Sequence, residues 1–275
     1  MNGLEPRGTE LARLVEGVNA RALEMYAANL PRLFPNARSA VLRAGGGVAA
    51  FLEKDSLLNY AVGLGLDGKV SGEDIAQICE FYRSRGVMPR VDVCPLADPS
   101  LTAALREHNF RLYSFVMVLT RPILPDEDFA PPPDGMVVRV ARPEEAELWA
   151  RVADEGFSDG SPITEERLRF GLLMFSGEAH VPYLVELDGE VAAQGSLFMH
   201  GPYAALASCS VRARFRRRGI QNALIRERLR RGRELGGTIA GLFVAGSSQS
   251  QRNAERQGFH VAYTKAVMKA DLEEK

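Results

Sequence analysis

The stretch Val211-Arg212-Ala213-Arg214-Phe215-Arg216-Arg217-Arg218-Gly219-Ile220-Gln221-Asn222-Ala223-Leu224 restricts this chain more than any other, because it reads as a strand, a cationic turn and a helix start in succession. The first amides of a helix have no intrahelical acceptors, and the helix dipole adds partial positive charge there, so an anion is favoured at that end. Gly219 lets the backbone approach such an anion closely, Ala223 is small enough for the helix to sit near the strand, and guanidinium groups bind phosphate oxygens in pairs. Six of the eight residues following Val211 are arginine or glycine. A solvated helix face explains Arg226, Arg228, Arg230, Arg231 and Arg233, but not three arginines set directly before a glycine and a helix. The turn suits a pyrophosphate.

The rest of the chain frames this turn. The 275 residues are 46% hydrophobic and 25% charged with a net charge of -1, which argues against a generally basic protein that coats nucleic acid. That balance hides a local excess: Arg212 to Arg233 holds ten arginines and only Glu227 as an acid. No stretch has the ~18 to 20 consecutive apolar residues of a membrane span, and Met1 to Pro6 lacks a basic flank followed by an apolar core, so a cytoplasmic protein is expected. Cys79, Cys94 and Cys209 are widely spaced with no CxxC pair, which fits a reducing compartment and no metal site.

Prolines, acids and a glycine between Leu124 and Gly135 mark a linker, dividing the chain into residues 1–123 and 136–275. After it the pattern predicts a strand at Met136–Val140, a helix opened by Pro143 and running to about Gly156, and a second helix capped at Thr164. A hairpin then turns at Asp188-Gly189, a strand covers Tyr203 to Val211, and a helix runs from Ile220 to about Leu235. A buried strand at Thr238–Val244, a short helix at Ser250–Arg256 and a final strand through about Met268 complete a mixed α/β layer fold. The first half repeats the later part of this order, with a strand at Asn59–Leu66, a helix at Glu73–Arg85, a strand at Arg90–Cys94, a helix at Pro99–Glu107 and a strand at Arg111–Leu119. A shift of 149 residues lays Val62 on Val211, Ile75 on Leu224 and Phe110 on Phe259. The reading is a tandem duplication.

Arg216-Arg217-Arg218-Gly219-Ile220-Gln221 resembles the Arg/Gln-x-x-Gly-x-Gly/Ala coenzyme A signature of the GNAT superfamily of N-acetyltransferases, with Gln221 in place of the usual small residue. Gly258-Phe259 matches the Gly-Phe that closes the family's last helix, and the likeness extends from Met136 to Leu272. It implies a GNAT-like fold of two tandem halves, and an opening between the parallel strands Tyr203–Val211 and Thr238–Val244 that receives the pantetheine arm of acetyl-CoA. Backbone at Cys209, Ser210 and Val211 would hold that arm. Amides of Arg216, Arg217, Arg218, Gly219, Ile220, Gln221, Asn222 and Ala223 would meet the pyrophosphate, with Arg217 and Arg218 as the nearest charges. Ser247 stands where the family often has an asparagine that contacts the cofactor, and Asn253 either faces the cofactor or fixes its helix.

The implied reaction moves an acetyl group from acetyl-CoA directly to an amine of a small molecule or protein in a ternary complex. It needs an unprotonated amine, donors for the oxyanion and a proton for the leaving thiolate. The tyrosine that family members place four residues before the Gly-Phe glycine is here Ala254. Tyr263 is then the candidate acid, unless water protonates the thiolate or the chain binds acyl-CoA without turnover. Glu186, His200, Asp154 and Glu155 are candidate bases, and a covalent role for Cys209 has no neighbouring His or acid to support it. At the matching turn of the first half, Glu73 and Asp74 would repel a pyrophosphate, so that half is expected to be degenerate and to bind no CoA. Other readings are a nucleic-acid module built on the arginine-rich helix, a non-catalytic CoA sensor, and a transferase using aminoacyl-tRNA. The favoured one expects an amine acceptor, no nucleic acid, no membrane, and a monomer or homodimer.

Overall fold

The computed structural model describes residues 6–158, 161–177 and 179–270; the readings at Met1–Glu5 and Leu272 lie outside them. Two compact units emerge, one running to Val118 and including the segment from Ala262, the other spanning Leu119–Val261. Among the described residues no helix is long and apolar enough to cross a membrane.

The first unit begins with α1 (Gly8–Leu33), β1 (Ser39–Ala44) and β2 (Gly47–Leu52), followed by β3 (Ala61–Val62), α2 (Gly72–Arg83), β4 (Arg90–Val93), α3 (Pro99–Glu107) and most of β5 (Phe110–Pro122). β1 and β2 form an antiparallel hairpin, β2 pairs antiparallel with β3, and β3 runs parallel to β4 at Ala61 and Val91. The apolar face of α2, with Ile75, Ile78 and Tyr82, packs in one core with Val91 and Leu101. That stripe at helical spacing is the physical reason the segment is a helix.

The second unit holds β6 (Met136–Val140), α4 (Ala146–Phe157), α5 (Glu165–Phe175), β7 (His180–Leu187), β8 (Glu190–His200), β9 (Tyr203–Val211), α6 (Ile220–Glu234), β10 (Ile239–Val244) and α7 (Gln249–Arg256). Local chemistry set these bounds as expected. Pro143 opens a single 3-10 turn before α4, and the Thr164 hydroxyl accepts from the Arg167 amide at the start of α5. The β7–β8 hairpin turns through Asp188 and Gly189, both with positive φ, as a tight hairpin turn requires. β6, β7, β8 and β9 are antiparallel in that order, and β10 adds in parallel to β9. Fully buried Trp149 of α4 anchors the core, with Phe175 of α5 edge-on at 5.9 Å.

The division between units differs from the expected one. The final strand β11 (His260–Ala270) pairs with β4 of the first unit, from Ala266 against Val93 to Lys269 against Arg90. Conversely, β5 from Leu119 onward belongs to the second unit, where the Ile123 amide donates to Thr238 O at 2.9 Å. Each unit is therefore completed by a strand that sequence order assigns to the other half. Residues 124–135, expected as a linker, lie within the second unit. There Arg226 donates to Ala130 O at 3.1 Å and Arg233 donates to Pro125 O at 3.4 Å, with its guanidinium over the Phe129 ring at 5.2 Å.

The 149-residue shift holds at the level of elements: it carries α2 onto α6, β4 onto β10, α3 onto α7 and β5 onto β11. It also lays Asn109 on Gly258, and both have left-handed backbones, with φ of 60° and 80°. The expected strand Asn59–Leu66 is cut to Ala61–Val62, because Gly63 and Gly65 take positive φ and leave the extended region.

Candidate active site

Within the second unit a cavity of about 590 Å³ is lined by the ends of α4 and β9, the turn before α6, the start of α6 and α7. The parallel ladder of β9 and β10 runs only from Tyr203 and Ile239 to Ala205 and Gly241. Beyond that point β9 is distorted by a bulge. Ser196 faces Ala207 and Gln194 faces Ser210, so Gly195 alone opposes Ser208 and Cys209, and Ser208 takes a φ of 43°. Behind the bulge the Ser210 hydroxyl donates to Val152 O at 3.2 Å and accepts from Gln194 Nε2 at 3.2 Å, which fixes β9 against α4. Gly156 of α4 lies so close that a Cβ there would come within 2.4 Å of Ser210 Oγ.

At the mouth, Gly219 caps α6 with a φ of 77°, and a Cβ placed on it would meet nothing within 4 Å. Among the described residues no protein acceptor meets the amides of Arg217, Arg218, Gly219, Ile220, Gln221 or Asn222; intrahelical bonding begins at Ala223 N to Gly219 O, 3.1 Å. Arg217 has no acid partner among the described residues and lines the cavity, its own φ at 64°. Arg216 is tied down, donating to Val211 O at 3.3 Å and Gly156 O at 3.0 Å. The result is a cluster of unpaired main-chain donors with a guanidinium beside it, fit for a diphosphate.

The cavity brings together most of the expected residues: Cys209, Ser210 and Val211 on β9, Arg216 and Arg217 in the turn, Gly219, Ile220, Gln221 and Asn222 at the helix start, and Asn253 on α7. Gln221 does not crowd the amides. Its Nε2 donates to Ser250 Oγ at 3.2 Å and its Oε1 accepts from Asn253, so it ties α6 to α7. Asn253 both lines the cavity and fixes its helix, accepting from Gln249 and Arg256 at 2.9 Å each. Three expected residues stand apart from the lining. Arg218 lies beside the Phe215 ring at 6.0 Å, Ala223 is buried against the core, and Ser247 sits in a left-handed turn whose amide donates to Gln251 Oε1 at 2.7 Å. Phe157, Gln249 and Arg256 also line the cavity and were not anticipated. Arg256 had a signal, standing nearly one helical turn beyond Asn253; Phe157 had none, since its place depends on α4 meeting β9.

The expected catalytic groups fall elsewhere. Tyr263 belongs to the first unit, where its hydroxyl donates to Glu16 at 2.6 Å in a buried cluster with Lys265 and Asp92; it does not line the cavity. Glu186 pairs with Arg139 at 2.7 Å, Glu155 with Arg212 at 2.6 Å and Asp154 with Arg167 at 2.7 Å, and His200 is exposed at the end of β8. None of these four lines the cavity. Ala254 is fully buried.

The arginines farther along α6 are engaged by the protein itself. Arg230 pairs with Glu227 and Glu234, Arg231 with Glu234, and Arg226 and Arg233 bond the 124–135 segment. In the first unit the matching helix start is closed by the chain itself. Ser71 and Asp74 cap each other, Asp74 also accepts from the Gly45 amide at 3.0 Å, and Val70 N donates to Ser100 at 2.8 Å. These bonds, the Ser71 ones first, hold the Asp74 carboxyl below its usual pKa.

Residues 146–259 match the sequence model of the Acetyltransferase (GNAT) family. This segment is a GNAT domain. Solved structures share the architecture of the whole chain. A GCN5-related N-acetyltransferase from Kribbella flavida aligns with a TM-score of 0.65 at 18% identity, over 93% of this chain and 96% of that one. A tandem GNAT protein from the clavulanic acid biosynthesis pathway aligns at 0.62 and 16% identity, over 98% of both chains. A GCN5-related N-acetyltransferase from Sphaerobacter thermophilus aligns at 0.58 and 19%, over 86% of this chain and 77% of that one. At these identities the likeness establishes the tandem GNAT fold. No curated protein matches the sequence. The GNAT segment begins with α4 and ends at the Gly-Phe after α7, so it contains the bulge, the open turn and every residue that lines the cavity.

Proposed function

We propose that the chain is an acetyl-CoA-dependent N-acetyltransferase that passes the acetyl group directly to an amine of a small molecule or protein, with both substrates bound together. The observation that carries this reading is the turn before α6, whose six amides from Arg217 to Asn222 have no protein acceptor among the described residues. Those amides and Arg217 would hold the pyrophosphate, and the pantetheine arm would lie along Cys209 to Val211 where β9 leaves β10. Bound acetyl-CoA supplies an activated acyl thioester; the protein's own part is to bind, orient and exclude water. No Asp, Glu, His or Tyr lines the cavity among the described residues, so the acceptor amine has to arrive unprotonated. The engagement of Arg226, Arg230, Arg231 and Arg233 within the protein weakens the support for a nucleic-acid module.

The test is a thermal melt. Acetyl-CoA at a hundredfold excess over its Kd should stabilise the protein by about 2.7 kcal/mol. A double variant, Arg217→Glu with Gly219→Val, should lose that gain, because it adds negative charge and a β-branched side chain at a positive φ. Identical melting of the native protein with and without acetyl-CoA would overturn the proposal.

A further inference from the structure

The cavity carries a cation beyond those a diphosphate needs. The amides from Arg217 to Asn222 and the Arg217 guanidinium already suit that group. Arg256 of α7 also lines the cavity, is exposed, and has no carboxylate partner among the described residues. Its Nη1 donates to Asn253 Oδ1 at 2.9 Å, which leaves most of the donors of the guanidinium for another acceptor. A basic residue in the last turn of a helix commonly serves the carbonyls at that end. Here the backbone takes them: Ala254 O accepts from the amides of Gln257 at 2.8 Å and Phe259 at 3.2 Å, and Glu255 O from that of Gly258 at 3.0 Å. Arg256 instead reaches back along its helix to Asn253.

A second observation concerns how Arg256 is held. Gln221, in the first turn of α6, accepts from Asn253 Nδ2 with its Oε1, while its Nε2 donates to Ser250 Oγ at 3.2 Å. With the amino end of the Asn253 amide committed to Gln221, its carbonyl end is turned to Arg256 and to Gln249, each at 2.9 Å. All five of these residues line the cavity. Fixing a side chain as long as arginine costs conformational entropy, which a solvated surface charge has no reason to incur. The group that matches a fixed guanidinium at a cavity wall is a phosphomonoester. Its oxygens accept the planar fork in pairs, and at neutral pH it carries about -1.5 to -2 charges.

We propose that Arg256, held by Asn253 and Gln221, binds a phosphomonoester on the cofactor, separate from its diphosphate, and so selects coenzyme A over the dephosphorylated form. Arg217 and the amides serve the diphosphate whichever form binds; Arg256 adds affinity only when the ribose phosphate of coenzyme A is present. Gln221, which replaces the small residue usual at this place in the coenzyme A signature, is a positioning residue for that contact. The inference rests on the acetyl-CoA reading, and its test separates the two.

Titration calorimetry of the full-length protein with CoA and with dephospho-CoA reads this selectivity without any acceptor. The native protein should bind CoA about tenfold more tightly, the size expected of one charge-assisted contact open to water. Arg256→Gln should bind both ligands at the native affinity for dephospho-CoA, which also shows that the variant is folded. Arg217→Gln should weaken both alike and leave their ratio intact. Gln221→Ala frees the Asn253 amide to turn over, and should cut the ratio about threefold, as for one lost neutral hydrogen bond, with dephospho-CoA binding as in the native protein. Equal affinity of the native protein for the two ligands, or a ratio that survives in Arg256→Gln, overturns the proposal. Loss of the ratio in Arg217→Gln overturns it too, by moving the phosphomonoester to Arg217. An unchanged ratio in Gln221→Ala overturns the role of Gln221. Failure of the native protein to bind either ligand defeats the acetyl-CoA reading itself.

Discussion

His180 shows how one residue can set a pH limit on the molecule. It lies buried on β7, its ring 4.9 Å from Phe198, and burial lowers its pKa from 6.5 to about 4. The folded state therefore holds it neutral while the unfolded chain protonates it below pH 6.5. Stability is full above that value and falls with pH until about 4, by about 1.4 kcal/mol per unit and about 3 kcal/mol in all. Denaturant titrations from pH 7 to 4 should show this slope reduced by that amount in His180→Phe; parallel slopes would exclude the effect. At this scale the site was largely legible. The arginines, Gly219 and the strand end at Val211 announce the turn because their local chemistry needs no distant partner. Tyr263 and Ser247 misled because their roles depend on what they meet: Glu16, 247 positions away, in one case and a neighbouring turn in the other. Arg228 read as one of a solvated row, but it is buried, its Nη1 donating to Ser196 O and Ala207 O beside the β9 bulge.

Among elements, helices with strong local signals came out near their expected bounds. α3 begins at Pro99 after an Asp98 cap, and α6 runs Ile220–Glu234 between its Gly219 cap and the Gly236-Gly237 pair. The 124–135 segment was misread for a physical reason. Prolines and acids suit a free linker and a strap fastened to a helix equally well, and the fasteners, Arg226 and Arg233, lie about a hundred positions downstream. Replacing both with Ala should loosen the strap. Limited proteolysis would then cut within 124–135 at least several-fold faster, and the unit should lose about 1 to 2 kcal/mol, as expected for two side-chain to carbonyl bonds. An unchanged cleavage rate would show that the strap is held by something else.

At the level of the whole molecule, the duplication could be seen as a 149-residue shift, but the destination of its last strands could not. Pairing of β11 with β4 links residues more than 170 positions apart, and no local pattern encodes that choice of partner. Residues 1–123 made alone should lack β11 and expose the Glu16 and Asp92 carboxylates that Lys265 neutralises. They should be largely protease-sensitive, whereas adding back 260–270 as a fused strand should restore protection. A stably folded 1–123 fragment would contradict the exchange. The same crossing bears on how the chain is made. A nascent polypeptide emerging in order would complete the GNAT unit while the earlier unit still waited for its closing strand, so the part synthesised first is finished last.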